Sequence, residues 1–494
     1  MTSGVKEPSK AWSFVRSNKW AILAVSAALI APCLWHRHIE AGDLASHMYN
    51  AWLAQLIAKG QAPGLYFVRQ WDNVLFDWTI LHTANLLGFA AAEKIVVSVC
   101  VLIFFWGVFA FVAAASGHSP WYLSPCIGML AYGYSFNMGF LNYYVSLGLA
   151  SLGLALLWRG RGFERLLGVL IVPLVLLAHP LGFLWLGGTL LYLGLWTKLP
   201  NWWKLAVPVA ATGAVYCLRL YLAHQNRFPV DWVHDPFYLM NGADQLTLYG
   251  DRYAALGWAA LVFGAFCVVA ELILRRRDVS IWRSLGLPAG MYAVAIFSVA
   301  LLPENLRPSI TGGWIGLLAS RLTAITAIFG LCVMSCLKPR KWHLAGFGAC
   351  AIVFFTFLYQ DTLVLDHMES ATEKLVSRLP FGTRVIETIW SPDDSRISFI
   401  GHMVDRACIG RCFSYANYEP ASGQFRIRVR QGSPVVSASD DDNEDMQSGE
   451  YTIQERDLPA VEIYQCDGKD LTRLCMRDLA AGEKNGRVGY KPPD

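Results

Sequence analysis

The sequence predicts a mostly α, polytopic membrane bundle of about eleven spans, with a large first outer loop and a C-terminal soluble α+β domain. Three observations predict it. The 494 residues are 55% hydrophobic and only 16% charged, with a mean hydropathy of +0.37, whereas about 25% charged residues is usual for soluble chains. The apolar residues gather in runs of about 17–25, the length that crosses a hydrocarbon core. The charge is also divided: residues 361–494 hold 16 Lys/Arg against 23 Asp/Glu, a balance of −7, leaving +11 on the first 360 of a total of +4. A basic membrane domain (1–360) therefore meets an acidic soluble domain (361–494). The basic residues lie in short loops between apolar runs, so no nucleic-acid partner is expected.

Taken in order, the expected spans are 20–36, 92–115, 120–136, 138–158, 166–180, 181–197, 204–222, 253–274, 285–302, 313–337 and 343–360. The pair around His179-Pro180 also reads as one broken element. The first run, Trp20 to Trp35, has no convincing small-residue cleavage site and reads as a retained span rather than a signal peptide. Loops on one side carry Lys6, Lys10, Arg16 and Lys19, then Arg159, Arg161 and Arg165. The same side has Lys198 and Lys204, the run RRR at 275–277 with Arg283, and Lys338, Arg340 and Lys341. By the positive-inside rule that side, with the N-terminus, is cytoplasmic. The other side receives segments 37–91, 223–252 and 303–312, and an odd number of spans puts the C-terminal domain there too.

Cysteine usage agrees. Four of the twelve cysteines, Cys408, Cys412, Cys466 and Cys475, lie in the C-terminal domain, as one or two disulfides in an oxidising compartment require. Their spacings, C-x3-C and C-x8-C, are not those of common zinc modules. LPFGTRVIETIW and GQFRIRVRQG alternate like strands. SDDDNEDMQSG (439–449) reads as a solvated acidic turn, since it lacks the ligand spacing and central Gly of a calcium loop. HMVDRACIGRCFSYANYEPASGQFRIRVR resembles no carbohydrate-binding module, and its aromatics (Phe413, Tyr415, Tyr418, Phe425) read as core residues.

The first outer loop, about 37–91, is the most informative region. It opens with GDLASHMYNAWLAQLIAKG, in which Asp43 and His47 share one face of a helix, and continues with VRQWDNVLFDWTILH, carrying Arg69, Asp72, Asp77 and His82. Interleaved aromatics suit two amphipathic helices lying on a membrane surface. Three roles fit Asp43: an N-cap of the helix starting near Leu44, a metal ligand with His47 that needs Asp72, Asp77 or His82 to complete the set, or a general base beside a lipid-borne donor. Arg321, in GLLASRLTAITAIFGL, interrupts a span near its outer end, where an arginine suggests an anionic partner. Arg307 and Arg69 are expected at similar depth, and phosphate matches the guanidinium fork. His179 is a candidate phosphate contact, and Asp231, His234 and Asp235 in FPVDWVHDPFY are candidates for an acceptor groove.

The stretch GDLASHMYNAWLAQLIAKGQAPGLY (an Asp after the first span, a helix, then K-G-x-x-P) resembles the opening of the first outer loop in the GT-C superfamily of polytopic glycosyltransferases. FNMGFLNYYVSLGLASLGLALLWRGR, the span carrying ASRLTAITA and the domain opening LPFGTRVIE also look like segments of bacterial members of unassigned specificity. The resemblance covers residues 1–360 as an architecture. It implies an inverting transfer of a sugar from a polyprenyl-phosphate donor to a glycan, lipid or protein acceptor at the outer face of a bacterial inner (cytoplasmic) membrane. The C-terminal domain would then be periplasmic or extracellular, and membrane lipids would surround the bundle. Asp43 matches the family's acidic base, Asp72 or Asp77 its second acidic position, and Arg321 a lipid-phosphate contact. Some members use a divalent metal, but no ligand set in this chain is clear enough to require a cofactor. The competing reading is a transport or assembly subunit for lipid-linked glycans without catalysis. Against transport, no inverted repeats are visible.

Overall fold

The computed structural model describes residues 10–225, 227–307, 315–391, 395–397, 402–468 and 470–486. Lys6, the 308–312 part of the third outer segment and the first two residues of the expected span 313–337 lie outside them.

The chain is mostly helical, with a small sheet region near its C-terminal end. In order, the helices are α1 (Lys10–Leu34), α2 (Leu44–Ala58), α3 (Leu75–Leu87), α4 (Phe89–Ser116), α5 (Ser124–Ala131), α6 (Tyr134–Asn137), α7 (Leu141–Arg159), α8 (Phe163–Ala178) and α9 (Pro180–Lys198). Then come α10 (Ala206–His224), α11 (Pro236–Leu239), α12 (Asp251–Leu274), α13 (Val279–Leu301), α14 (Leu318–Ser335), α15 (Lys341–Val376), α16 (Met403–Cys408) and α17 (Asp440–Ser448). Among the described residues nine helices are long and apolar enough to cross a membrane: α1, α4, α7, α9, the segment Asn201–His224 containing α10, α12, α13, α14 and α15. α4, α7 and α14 are mostly buried and form the interior, whereas α1 and α10 leave most of their apolar surface bare. Exposed Leu191, Val209, Val262 and Ile273 are what a lipid-facing exterior requires, since soluble folds do not expose large apolar areas without a partner.

Two expected spans take other forms. The segment 120–136 is a 3-10 turn (Trp121–Leu123) followed by α5 and α6; the chain breaks after Ala131, and Gly133 seats against the Gln245 carbonyl, where a Cβ would stand 2.7 Å away. The segment 166–180 is the 16-residue α8, which ends before the extended His179. The last expected span, 343–360, is the start of the 36-residue α15, whose helix continues to Val376 with no break at 360.

The strands are β1 (Leu65–Phe67), β2 (Val230–Trp232), β3 (Pro303–Leu306), β4 (Arg384–Thr388), β5 (Phe413–Ser414), β6 (Ile427–Val429), β7 (Ala460–Gln465) and β8 (Leu474–Asp478). The C-terminal domain is built on a four-stranded sheet in the order β5-β4-β7-β8, with β4 parallel to β5 and β7 and β8 antiparallel to β7. LPFGTRVIETIW supplies β4 as its alternation predicts, but GQFRIRVRQG supplies β6, which pairs with β1 of the first loop rather than with this sheet. The acidic run 439–449 is not a turn: Ser439 accepts from the Asp442 N–H and caps α17, and its three leading aspartates suit a helix N-terminus. Cys408–Cys412 and Cys466–Cys475 are disulfides, so the four cysteines are not zinc ligands.

The α2 half of the first loop does not lie open on a membrane surface, whereas Trp71, Trp78, Leu86 and Leu87 in and before α3 are exposed. Tyr49, Trp52 and Leu53 of α2 are buried in one apolar cluster with Val385, Phe413, Val435 and Ile463 of the C-terminal domain. A side chain such as Leu53 contributes about 1.5–3 kcal/mol when buried this way. Phe413 and Tyr415 are core residues, while Tyr418 and Phe425 are half-buried.

Candidate active site

The helix ends on the C-terminal domain's side of the bundle meet around Asp43. The turn before it is fixed by a close backbone approach. Gly42 (φ +29°) and Gly139 (φ +77°) face each other, and a Cβ on Gly139 would stand 2.3 Å from the Asp43 nitrogen, which donates to the Met138 carbonyl at 3.2 Å. Asp43 occupies the N-cap position of α2 but its side chain makes no capping hydrogen bond. That carboxylate is 31% exposed and faces His402 of the C-terminal domain, with Oδ1 3.7 Å from Nε2. It is both accessible and released from capping.

Two Asp–His pairs flank it. His402 Nδ1 bonds Asp405 Oδ2 at 2.8 Å. Burial alone would lower the His402 pKa, but Asp405, Asp43 and Glu387 raise it to about 10, so the ring carries a proton at neutral pH. His47, one turn beyond Asp43 on α2, bonds Asp77 Oδ1 on α3 at 2.6 Å. Burial opposes its charge, yet Asp77 raises it to about 9, with help from Glu419 and Asp43. Asp77 is held below the ordinary carboxylate range by His47 and Asn142, against the effect of burial. Asn142, at the start of α7, locks this pair: its amide donates to Asp77 Oδ2 at 2.7 Å and its carbonyl accepts from the Phe76 N–H at 2.8 Å.

Glu419 reaches in from the C-terminal domain. It accepts from Ser46 Oγ at 2.6 Å and from Asn50 of α2, and burial raises its pKa to about 7. A carboxyl poised near neutrality that shares the His47 and His402 charges with a partly exposed carboxylate is an arrangement suited to acid–base work.

Arg321 stands in the first turn of α14, nearer the helix end than its place in the apolar run suggests. Its guanidinium stacks on Phe140 at 4.4 Å, its Nε has no hydrogen-bond partner among the described residues, and it lies within the electrostatic reach of Asp43, Tyr143 and Tyr418. His179 caps α9 by accepting from the Leu181 N–H at 3.1 Å, packs edge-on against Tyr143, and is also within reach of the Arg321 charge. A guanidinium whose Nε has no partner among the described residues, within the field of Asp43, offers a seat for an anion.

Asp43, His47, Asp77, Arg321 and His179 are thus brought together. The other expected residues stand elsewhere. Arg69 is exposed and stacks on Trp71 at 4.5 Å. Asp72 is half-exposed in the loop before α3, and His82 is exposed, its ring on Trp78. Asp231 lies on β2, paired with β3; Asp235 caps α11 by accepting from Tyr238 N; His234 is exposed between them. Arg307 follows β3 and faces the field of Asp440 on α17. Sequence reasoning missed His402, Asp405, Glu419, Ser46, Asn50 and Asn142. Only the i, i+3 pair in HMVDR and the lone Asn in the apolar FLNYYVS carried a signal for them. No family model, no curated protein and no solved structure matches the chain.

Proposed function

We propose that the protein is a glycosyltransferase moving a sugar from a polyprenyl-phosphate donor to an acceptor hydroxyl or amide. Eleven membrane segments, counting α8 and the broken α5–α6 element, would place the cluster at the extracytoplasmic face. The single observation that carries the reading is Asp43: a partly exposed carboxylate released from capping, flanked by charged His402 and His47, with Arg321, whose Nε has no partner among the described residues, nearby. Asp43 accepts the acceptor's proton as its oxygen or nitrogen attacks the anomeric carbon. The bond to the lipid phosphate breaks with inversion, and Arg321, stacked on Phe140, stabilises the charge on the departing phosphate. His402 and His47 orient Asp43 and supply positive field. An apolar groove of about 480 Å³ between Trp35, just after α1, and the Phe355–Tyr359 face of α15 suits a prenyl chain.

The test is turnover of synthetic polyprenyl-phosphate sugars by purified protein, wild type beside Asp43→Asn. Saturable donor binding by both, with acceptor-dependent release of lipid phosphate from wild type alone, is the expected result. No donor binding by folded protein across a broad panel would return the chain to a transport or assembly role.

A further inference from the structure

A second polar cluster lies at the seam between the first loop, α15 and the C-terminal domain. The backbone of His38-Ile39-Glu40 is held on three sides. The His38 N–H donates to Asp366 Oδ1 at 2.8 Å, the Ile39 N–H donates to Glu93 Oε1 at 2.8 Å, and the Ile39 carbonyl accepts from Arg406 Nη2 at 2.9 Å. On this strap the ligand-type atoms of His38, Glu40 and Glu369 come within 4.8 Å of one another, all three residues being buried. Glu40 Oε1 and Glu369 Oε1 have no donor among the described residues, although Glu40 is 8% and Glu369 1% exposed. Two buried carboxylates facing each other without a donor need either a shared proton or a cation between them.

The surroundings do not supply enough positive charge. Arg406 Nη1 bonds Glu369 Oε2 at 3.0 Å and approaches Glu93 at 3.5 Å. Arg37 and Lys94 add two charges nearby, and Lys94 is turned to the His36 carbonyl. Against these three cations stand Glu40, Glu93 and Glu369, with Asp366 and Glu373 on the two nitrogens of His38. With both glutamates ionised, even a charged His38 leaves the cluster one negative charge in excess, which one proton or one cation would offset. A cavity of about 20 Å³ touches both His38 and Glu40, which is room for about one water.

We propose that His38, Glu40 and Glu369 bind one divalent cation, of the class that accepts mixed imidazole and carboxylate ligands, such as Mn²⁺ or Zn²⁺. Bonds of about 2.0–2.2 Å place tetrahedral ligands about 3.4 Å apart, so the three groups need move inward by only about 1 Å. Asp366 on His38 Nδ1 is the outer-shell carboxylate that metal-bound histidines use to fix their tautomer. His38 Nε2 then exchanges its 3.1 Å contact with Glu373 for the ion, and Glu373 keeps Arg37, 2.8 Å away. The cavity has room for a water as a further ligand. The ion would tie the start of the first loop to α15, and α15 through Arg406 to the C-terminal domain. Asp43 is not a ligand, so the site stands or falls apart from the transfer reaction.

The test uses full-length purified protein, stripped with chelator and titrated with Mn²⁺, which discriminates against the buried thiols, and read by electron paramagnetic resonance and by thermal unfolding. Wild type and Asp43→Asn are expected to bind one ion and to gain thermal stability with it. Glu40→Gln and Glu369→Gln should each lose binding at least 100-fold, and Asp366→Asn about 10–100-fold. If a glutamine variant fails to fold, His38→Gln serves in its place. Folded wild type that takes up neither Mn²⁺ nor Zn²⁺ at millimolar concentration overturns the proposal in favour of a proton shared between Glu40 and Glu369. Equal binding by wild type and the glutamine variants overturns it too.

Discussion

The protein carries two charged clusters at the same end of one bundle, and they are built on opposite plans. Around Arg406 the central groups are closed in, Glu369 being 1% and Arg406 7% exposed, and the strap they hold is pinned by three backbone bonds. Around Asp43 the groups are anchored from behind and open in front: Asp77 is locked by His47 and Asn142, while the Asp43 carboxylate is left 31% exposed. Buried ion networks resist the loss of any member, whereas a reacting group must admit a substrate. On the proposed function, the difference separates a joint from a reacting group within one short stretch of chain, residues 38 to 47.

That contrast can be broken most sharply at Asp43. Asp43→Asn is expected to lower transfer by roughly 10²–10⁴-fold with thermal stability unchanged, as read by lipid-phosphate release beside a melting curve; a loss of stability instead would make Asp43 part of the joint. The reverse outcome is expected at Arg406. Arg406→Ala strands Glu369 and Glu93 without a counter-charge and should cost about 3–5 kcal/mol, measured by chemical or thermal unfolding in detergent. Arg321→Ala should weaken binding of the phosphate-bearing donor by roughly 10–100-fold, or about 1.4–2.8 kcal/mol, with little change in acceptor affinity. Titration sharpens the comparison further. His402 has a folded pKa of about 10, raised above its ordinary value near 6.5, so its charge contributes stability that is fully present below about pH 6.5 and lost as pH rises through about 10. The melting temperature of wild type should exceed that of His402→Asn at pH 6 and converge with it above pH 10. The smallest effect belongs to the exposed stack of Arg69 on Trp71, where Arg69→Ala should change stability by no more than about 1 kcal/mol.

Much of this was legible before any coordinates. Apolar runs are written locally, so α4, α7, α12 and α13 fall near their expected places, and the first loop announces itself by its charges. The broken segment at 120–136 was not legible, because its composition is apolar throughout and only the seating of Gly133 against the Gln245 carbonyl tells why the helix stops. The half of the Asp43 cluster given by the C-terminal domain was also hidden. Ser46 and Glu419 are 373 residues apart, and a Glu in ANYEPAS differs in no local way from a solvated one. The Glu40 and Glu369 pair escaped notice for the same reason. The α2 aromatics suit lipid headgroups in the sequence but face the C-terminal domain in the structure, because period and amphipathicity cannot distinguish a lipid surface from another domain.

The separation of Ser46 from Glu419 also sets an order of birth. At about 5–20 residues per second, α2 leaves the ribosome roughly 20–75 s before the glutamate that fastens it, and β1 waits a similar time for β6. During that interval Tyr49, Trp52 and Leu53 have nothing to cover them. The nascent loop must be sheltered, by the bilayer surface or by a chaperone, and the Asp43 constellation cannot exist on an unfinished chain. A molecule truncated before residue 402 would insert its helices and still be born without its histidine partner.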